Sequence, residues 1–358
     1  MRDGKTGEVE LTEVDLACLR SLRGRDWITE QDWTREELVA VLDLAAAVKR
    51  LWGEGVPTPL LDRKHLALLF EEPSTRTRVS FEVGMADLGG TSLYLKPGEI
   101  HLGGRESVGD TARVLSRFVQ GIMARLLRHE VLEELAAHAS VPVINGLTDR
   151  WHPVQTLSDA FTIREVAGTL RGIRVAFLGD ATNVCASLAT MCPKLGVDFV
   201  AANPPGYELP AEVQAVARRN AEEAGSRVEF LHDPVAAVRD ADFVYTDLWW
   251  WVGQEAEAEA RKRAMAPYQV NAGLMARAPR HARFMHCLPA ARGLEVTDDV
   301  MDGDHSIVFQ QAENRMHLEK GLLVALLGVD RIPAGVDRRV RELGEALGGR
   351  PEEGGRGQ

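Results

Sequence analysis

The sequence has few cysteines, no paired cysteine motif and no long apolar run. Its four cysteines are Cys18, Cys185, Cys192 and Cys287, and none lies in a C-x-x-C pair, so neither a zinc site nor a disulfide framework is predicted. Scattered thiols fit a reducing cytoplasm, which is the location we expect. No apolar run approaches the about 18 residues that a membrane-spanning helix needs, and the polar first residues contain no apolar export signal. We therefore expect no membrane association.

Basic residues are also fewer than acidic ones. The sequence has 42 lysines and arginines and 53 aspartates and glutamates, which gives a net charge of −11. This charge argues against non-specific binding to nucleic acid or to an anionic membrane. The dinucleotide-binding fingerprint G-x-G-x-x-G is missing from the turn Gly179-Asp180-Ala181-Thr182-Asn183, which follows a predicted strand. A nucleotide-dependent oxidoreductase is therefore only an alternative. An anionic ligand would need a local basic pocket.

The 358 residues carry alternating strand and helix patterns, which predict two α/β domains, each a doubly wound parallel sheet, linked by long helices. The predicted strands cover residues 65–70, 121–126, 141–145, 174–178, 198–202, 228–231, 243–246 and 283–287, and the longer helices cover 38–51, 156–166 and 312–327. We divide the chain into an N-terminal extension (1–26), a first domain (27–150), a second domain (151–328) whose last helix returns to the first, and a C-terminal helix with a disordered tail (329–358).

One polar stretch, Ser74-Thr75-Arg76-Thr77-Arg78, follows the first predicted strand and opens a helix. Unpaired N–H groups and the helix dipole make such a helix start an anion site, and the serine suits a capping position. Two arginines and three hydroxyls within five residues add the donors that phosphate prefers. A capped helix with solvated arginines is the alternative interpretation.

Four further constellations lie near predicted strand ends, where open α/β sheets bind ligands. Arg125 lies within a predicted strand, which indicates either an anionic ligand or a structural ion pair. His152 and Gln155 share a helix face, although simple capping would also explain them. Adjacent strand residues point to opposite faces, so His286 and Cys287 are predicted to contact a ligand separately and not as a catalytic dyad. Arg315, near the start of the last long helix, is either a ligand contact or a surface arginine.

Asp247 follows another predicted strand and precedes three adjacent tryptophans, Trp249, Trp250 and Trp251. Three neighbours of that size cannot all face one core. At least one of them is predicted to line a pocket or an interface.

Three of these motifs together carry a family resemblance. The Ser74–Arg78 stretch, His152-Pro153-Val154-Gln155 and His286-Cys287-Leu288-Pro289 resemble the aspartate/ornithine carbamoyltransferase superfamily, most closely its ornithine and putrescine members. The resemblance covers about residues 27–328 in the family's order. It implies a carbamoyl-phosphate domain followed by an amine-acceptor domain, with carbamoyl phosphate and a small primary amine as substrates. It also implies a homotrimer, with no cofactor and no metal.

The resemblance assigns roles to residues one by one. The implied catalytic residues are Arg125, His152, Thr77, Cys287 and Asp247. The implied carbamoyl-phosphate contacts are Ser74, Thr75, Arg76, Thr77, Arg125, His152, Gln155, Cys287, Leu288 and Arg315, together with His101 from a neighbouring subunit. The implied acceptor contacts are Asn183, Asp247, Trp251 and Val252.

The acceptor side departs from the family pattern. Ornithine enzymes carry Ser-Met-Gly where this chain has Trp251-Val252-Gly253, so a hydroxyl partner for an amino-acid head group is missing. This slightly favours putrescine or a similar diamine. The following Gln254 and Glu255 instead resemble ornithine enzymes, so an ornithine carbamoyltransferase making citrulline is the alternative. A catalytically idle metabolite-binding relative is the alternative of another class.

Overall fold

The computed structural model describes residues 13–99, 104, 106–250 and 254–332. Two parallel sheets form its framework, which confirms the predicted fold class. The first sheet contains β1 (His65–Phe70), β2 (Thr91–Leu95), β3 (Gly121–Arg125) and β4 (Val143–Leu147) in the order β2-β1-β3-β4. The second contains β5 (Arg174–Leu178), β6 (Asp198–Ala202), β7 (Val228–Leu231), β8 (Phe243–Thr246) and β9 (Arg283–His286) in the order β7-β6-β5-β8-β9.

Helices connect the strands. In the first half they are α1 (Glu13–Ser21), α2 (Arg35–Gly53), α3 (Thr75–Asp87), α4 (Val108–Phe118), α5 (His129–His138) and α6 (Pro153–Ala167). In the second half they are α7 (Asn183–Lys194), α8 (Ala211–Ala224), α9 (Pro234–Val238), α10 (Ala258–Met265), α11 (Ala272–Met275), α12 (Asp298–Met301) and α13 (Val308–Leu323). None of the described helices is long and apolar enough to cross a membrane.

Local sequence explains where these elements begin and how they are buried. At α2, the Thr34 hydroxyl accepts from the Glu37 N–H at 3.2 Å and the Glu37 carboxylate accepts from the Thr34 N–H at 2.8 Å, a capping box that satisfies two end groups. Strands such as β1 and β8 are almost entirely apolar because helices cover both faces of each parallel sheet.

Two stretches differ from the sequence-based expectation. The first is β2, an edge strand that pairs with β1 and escaped prediction because its exposed or half-buried residues give little apolar signal. The second is the expected N-terminal extension. Within its described part, Leu16, Leu19 and Leu22 are buried and α1 packs on α2, so residues 16–22 belong to the hydrophobic core. Trp27, the first residue of the predicted first domain, pairs with β4.

The long helix α13 joins the two halves. It follows the second sheet but packs against α2, α3 and α6, and all its apolar residues from Leu318 to Leu323 are buried. After α13 the chain forms a short π-helix (Val324–Gly328) and a short 3₁₀-helix (Val329–Arg331). The C-terminal helix and tail predicted for 329–358 lie almost wholly outside the described residues. The packing of α13 brings its polar side chains between the carboxyl ends of the two sheets.

Candidate active site

The carboxyl ends of the strands of both sheets face one region. Loops after β1, β4, β5 and β8 carry Ser74, His152, Asn183 and Asp247, while Arg125 ends β3 and Cys287 directly follows β9. This is the edge at which open parallel sheets bind ligands. The sequence-predicted residues that the structure describes are therefore gathered from distant parts of the chain.

Two adjoining cavities occupy this region. The larger, of about 520 Å³, is lined by Pro73, Ser74, Thr75, Arg76, Arg125, Leu248, Trp249, Trp250, Pro289, Ala291, Leu294 and Glu295. The smaller, of about 50 Å³, is lined by Arg76, Arg125, Leu147, His152, Gln155, Val184, Asp247, Leu248, Cys287, Leu288, Pro289 and Arg315. Arg76 and Arg125 face both, so the two cavities are neighbouring parts of one site.

The start of α3 presents unpaired donors to the larger cavity. Ser74 is the N-cap residue, but its hydroxyl donates to the Thr77 hydroxyl at 3.2 Å and makes no capping bond. The serine therefore occupies the predicted capping position, but its side chain does not cap the helix. The first N–H groups of α3 have no intrahelical partner, which leaves them free for an anion.

Arg315 is held by three hydrogen bonds within the site. It donates from Nη2 to the Thr77 hydroxyl at 2.7 Å, from Nη1 to Gln155 Oε1 at 3.1 Å, and from Nε to Glu319 Oε1 at 3.1 Å. The guanidinium is buried, so it is not the surface arginine of the alternative interpretation. One N–H on each terminal nitrogen remains beyond these three bonds.

Three guanidinium groups, those of Arg76, Arg125 and Arg315, line the smaller cavity. Burial, with the charges of Arg315 and Arg76, lowers the pKa of Arg125 from 12.5 to about 10. Burial is also the main cause that lowers the pKa of Arg76. Arg125 Nε is buried and has no partner among the described residues. Positive charges held together in this way favour a bound anion, which would relieve their repulsion.

His152 lies beside these arginines in its neutral form. Burial, reinforced by the neighbouring guanidinium groups, lowers its pKa well below the ordinary value of 6.5. Its backbone N–H donates to the Ser187 hydroxyl at 2.8 Å, and its Nδ1 is buried with no partner within the described ranges. A neutral imidazole has one N–H, which can donate to a ligand oxygen without adding charge.

Asp247 and Cys287 also line the smaller cavity. The Cys287 thiol donates to Asp247 Oδ1 at 3.1 Å, the Leu248 N–H donates to the same oxygen at 2.8 Å, and the Thr182 hydroxyl donates to Oδ2 at 3.0 Å. Burial and the adjacent carboxylate raise the pKa of the Cys287 thiol well above its ordinary value. The thiol is therefore a donor and not a thiolate nucleophile, and Asp247 supplies buried negative charge opposite the arginines.

Asp247, His286 and Cys287 each place one potential metal-ligating atom within 4.8 Å of the others. Only one ring nitrogen of His286 makes a hydrogen bond within the described residues, however. Nδ1 accepts from the Leu288 N–H at 2.8 Å, whereas Nε2 lies 3.4 Å from Glu295 Oε1 without a hydrogen bond. Binding a metal through Nδ1 would break the bond to Leu288, and burial beside Asp247 raises the pKa of the Cys287 thiol, so the trio fits a metal ion poorly.

The remaining acceptor residues divide into two groups. Asn183 donates from Nδ2 to the Thr148 carbonyl at 2.6 Å, and its Oδ1 is buried without a partner in the described structure. His101, Trp251 and Val252 lie outside the described residues.

Sequence reasoning missed several residues that line the larger cavity. Leu294 and Glu295 carry no recognisable pattern, and they reach the site because the chain turns back after β9. The tryptophan run did carry a signal, since Trp249 and Trp250 both line this cavity. Arg261 donates to the Trp249 carbonyl at 3.2 Å and to Asp180 at 2.7 Å, which holds this part of the wall in place.

Comparison with known proteins agrees with this arrangement. The aspartate/ornithine carbamoyltransferase family model for the carbamoyl-P binding domain matches residues 25–165, and the model for the Asp/Orn binding domain matches residues 171–326. An ornithine carbamoyltransferase from Pyrococcus horikoshii is 52% identical over 309 residues, covering 86% of this chain and 97% of that protein. One from Bacillus subtilis is 48% identical over 307 residues, with coverage of 86% and 95%. The solved ornithine carbamoyltransferase from Pyrococcus furiosus superposes with a TM-score of 0.84 at 51% identity, covering 86% of this chain and 98% of that one.

The two parallel sheets and the arginine-lined cavities define an α/β protein with a site suited to an anionic ligand. With the matches above, the chain belongs to the aspartate/ornithine carbamoyltransferase family and is a carbamoyltransferase. The predicted superfamily and enzyme class are confirmed. The relatives support the ornithine alternative, whereas nothing among them supports the slight preference for a diamine.

Proposed function

We propose that this enzyme transfers the carbamoyl group of carbamoyl phosphate to the δ-amine of ornithine, giving citrulline and phosphate. The observation that carries the proposal is that three guanidinium groups and the hydrogen-bonded Asp247–Cys287 pair line the same small cavity, with Arg76 in the first turn of α3. One side of the site suits a phosphate dianion, and the other suits an amine.

Carbamoyl phosphate would lie against the first domain and α13. Ser74, Thr75, Arg76 and Thr77 would bind the phosphoryl oxygens, because α3 begins there with unpaired N–H groups. Arg125, His152 and the Thr77 hydroxyl would meet the carbonyl oxygen, where negative charge develops. Gln155, Leu288 and Arg315 would complete the contacts to the carbamoyl group, and His101 would reach the site from a neighbouring subunit.

The chemistry needs no dedicated base. The amine nitrogen attacks the carbonyl carbon, and the bond from that carbon to the bridging phosphate oxygen then breaks. The departing phosphate is basic enough to accept the proton that the amine nitrogen loses. Asp247 and Cys287 would orient the incoming amine, since the buried carboxylate favours a cationic or hydrogen-bonding nitrogen at this wall.

Two buried polar groups could serve an amino-acid head group although Ser-Met-Gly is absent. Trp249 Nε1 is a buried donor without a partner in the described ranges, and Asn183 Oδ1 is a corresponding acceptor. A carboxylate could use the first and an α-ammonium the second, whereas a diamine would leave the indole N–H unmatched. Together with the names of the relatives, this favours ornithine over putrescine.

Initial rates with carbamoyl phosphate and either ornithine or putrescine test the proposal. We expect citrulline and phosphate in equal amounts, and a kcat/KM for ornithine at least about tenfold above that for putrescine, because the polar head-group contacts discriminate the two amines. Trp251→Ser and Val252→Met provide matched variants that restore the family residues. A higher kcat/KM for putrescine, shifted towards ornithine by the double variant, would reinstate the diamine hypothesis. Phosphate release with neither amine would contradict the proposed function.

We also propose that the enzyme acts as a homotrimer in the cytoplasm. Val79 and Val83 of α3 and Leu93 of the edge strand β2 are exposed apolar side chains that a second copy could cover. If His101 completes a neighbouring site, then mixing dissociated Arg125→Ala and His101→Ala proteins should restore part of the activity on reassembly. Light scattering that gives a monomer mass, or no recovery in mixed trimers, would contradict this arrangement.

A further inference from the structure

Asp159 is a fully buried carboxylate that lies one turn after Gln155 on α6 and does not line either cavity. Its Oδ1 accepts from Gln155 Nε2 at 2.9 Å and from Gln311 Nε2 at 2.7 Å, and its Oδ2 accepts from the Tyr245 hydroxyl at 3.0 Å. A buried carboxylate is costly, and these neutral donors offset that cost only in part. Accordingly, burial raises the pKa of Asp159 to about 6.

Two of these donors lead directly to the site. The other end of the Gln155 amide, Oε1, accepts from Arg315 Nη1 at 3.1 Å. The other end of the Gln311 amide, Oε1, accepts from the backbone N–H of His286 at 2.9 Å, one residue before Cys287. Asp159 therefore connects by two single-residue relays to Arg315 and to His286, the last residue of β9 and the neighbour of Cys287.

The carboxylate also fixes which way each amide faces. Because both Nε2 groups donate to Asp159, both Oε1 atoms must point away from it, towards Arg315 and His286. Flipping either amide would bring two acceptor oxygens together in a buried site and leave donors unmatched, which is strongly unfavourable. An apolar residue at position 159 would remove this constraint on both walls at once.

We propose that Asp159 is a positioning residue for carbamoyl transfer: it orients Gln155 and Gln311 so that Arg315 and the Cys287–Leu288 loop face the same carbamoyl phosphate. The inference rests on the proposed function, in which Gln155 and Arg315 contact that substrate. In this role Asp159 neither contacts the substrate nor takes part in a chemical step.

Asp159→Leu is the main test, because leucine has a similar volume and no acceptor. We expect the KM for carbamoyl phosphate to rise at least about tenfold, with the KM for the amine changed less than about threefold. Asp159→Asn keeps Oδ1 as an acceptor and can donate to the Tyr245 hydroxyl, so it should recover most of the loss. Ser158→Ala is the matched control, since that neighbouring buried hydroxyl donates only to the Val154 carbonyl at 2.7 Å and should leave both KM values within about twofold.

A double-mutant cycle separates positioning from general loss of structure. In a Gln155→Ala background, Asp159→Leu should raise the KM for carbamoyl phosphate less than it does alone, because one of the two relays is already cut and only the one through Gln311 remains. Full additivity, or equal increases in both KM values, would overturn the inference. If Asp159→Leu does not fold, Gln311→Met tests the positioning role instead. It should raise the KM for carbamoyl phosphate selectively, and an unchanged value would overturn the inference.

Arg315→Ala distinguishes failure of the proposed function from failure of the positioning role. If Arg315→Ala leaves the KM for carbamoyl phosphate unchanged, the proposed substrate contacts are wrong. If Arg315→Ala weakens that substrate but the Asp159 variants behave additively, only the positioning role is wrong.

Discussion

Replacing Arg125 with methionine should weaken catalysis without weakening the ligand-free fold. Arg125 ends β3 and faces both cavities, where Arg76 and Arg315 add two further positive charges. Methionine keeps much of the apolar stem of the side chain and removes the guanidinium. In the free enzyme this relieves repulsion, whereas during the reaction it removes a donor that should face the developing oxyanion.

The structure sets the size of both effects. The pKa of Arg125 falls from 12.5 to about 10, and each unit corresponds to about 1.4 kcal/mol, so holding the cation in the free enzyme costs up to about 3 kcal/mol. A neutral assay pH lies below the pKa of Arg125 in both the folded and the unfolded protein, so Arg125 is charged in both states. The full free-energy cost of holding that charge in the folded protein is therefore present at neutral pH. Loss of one oxyanion donor typically costs about 3–4 kcal/mol of barrier, or roughly 100- to 1000-fold in kcat.

The assay compares kcat, both KM values and the ligand-free melting temperature. We expect Arg125→Met to lower kcat by at least about 100-fold and to keep or raise the melting temperature. Arg76→Met should instead act mainly on the KM for carbamoyl phosphate. Arg128→Met, which changes an exposed arginine three residues away, is the control and should change neither. A kcat within about threefold of the parent, or a melting temperature several degrees lower, would refute the reasoning.

Three further outcomes follow from buried groups. Iodoacetamide should alkylate Cys287 at least about tenfold more slowly than a free cysteine at pH 8, because its raised pKa keeps the thiol protonated beside Asp247; a rate equal to that of free cysteine would contradict this. Burial raises the pKa of Glu319 from 4.5 to about 7. The free energy of unfolding, measured with urea, should therefore fall relative to that of Glu319→Gln as the pH rises from about 4.5 to about 7. A difference between the two proteins that does not change with pH would argue against this. Asp87→Ala should lower the melting temperature of the protein more than Lys320→Met does, because it leaves the buried Lys320 ammonium without the carboxylate that now lies 3.0 Å from it. A larger loss in Lys320→Met would disprove this.

Most of the framework is predictable because strand and helix patterns are local. Strands 65–70, 174–178, 198–202, 228–231 and 243–246 have the predicted bounds, since short apolar runs between turn residues are the normal signal of a buried parallel strand. The edge strand β2 lacks that signal. The burial of α1 was also unpredictable, because its short apolar face becomes interpretable only once α2 is placed against it.

The proposed phosphate side of the site is easier to predict from sequence than the proposed amine side. Arginines and hydroxyls at a helix start have a direct physical meaning, whatever lies around them. The amine side depends on Trp249, Glu295 and similar residues, whose meaning comes from tertiary contacts. The slight preference for a diamine rested on Trp251 at a single hydroxyl position, without the buried indole N–H of Trp249, which has no partner among the described residues.

The polar residues of α6 show why sequence alone understates such a site. On a predicted helix, Gln155, Asp159 and Thr162 resemble capping or solvent-facing positions, yet every residue from 153 to 163 is buried. They can be buried because α13 supplies matching groups: Arg315 for Gln155, Gln311 for Asp159, and Asn314 for Thr162. Each helix alone would carry a row of unsatisfied polar groups, and only the pair satisfies them. Because α13 comes from the far end of the chain, this match also couples folding of the two halves to assembly of the site. A helix that looks insufficiently apolar for a core is here the structural centre of the active site.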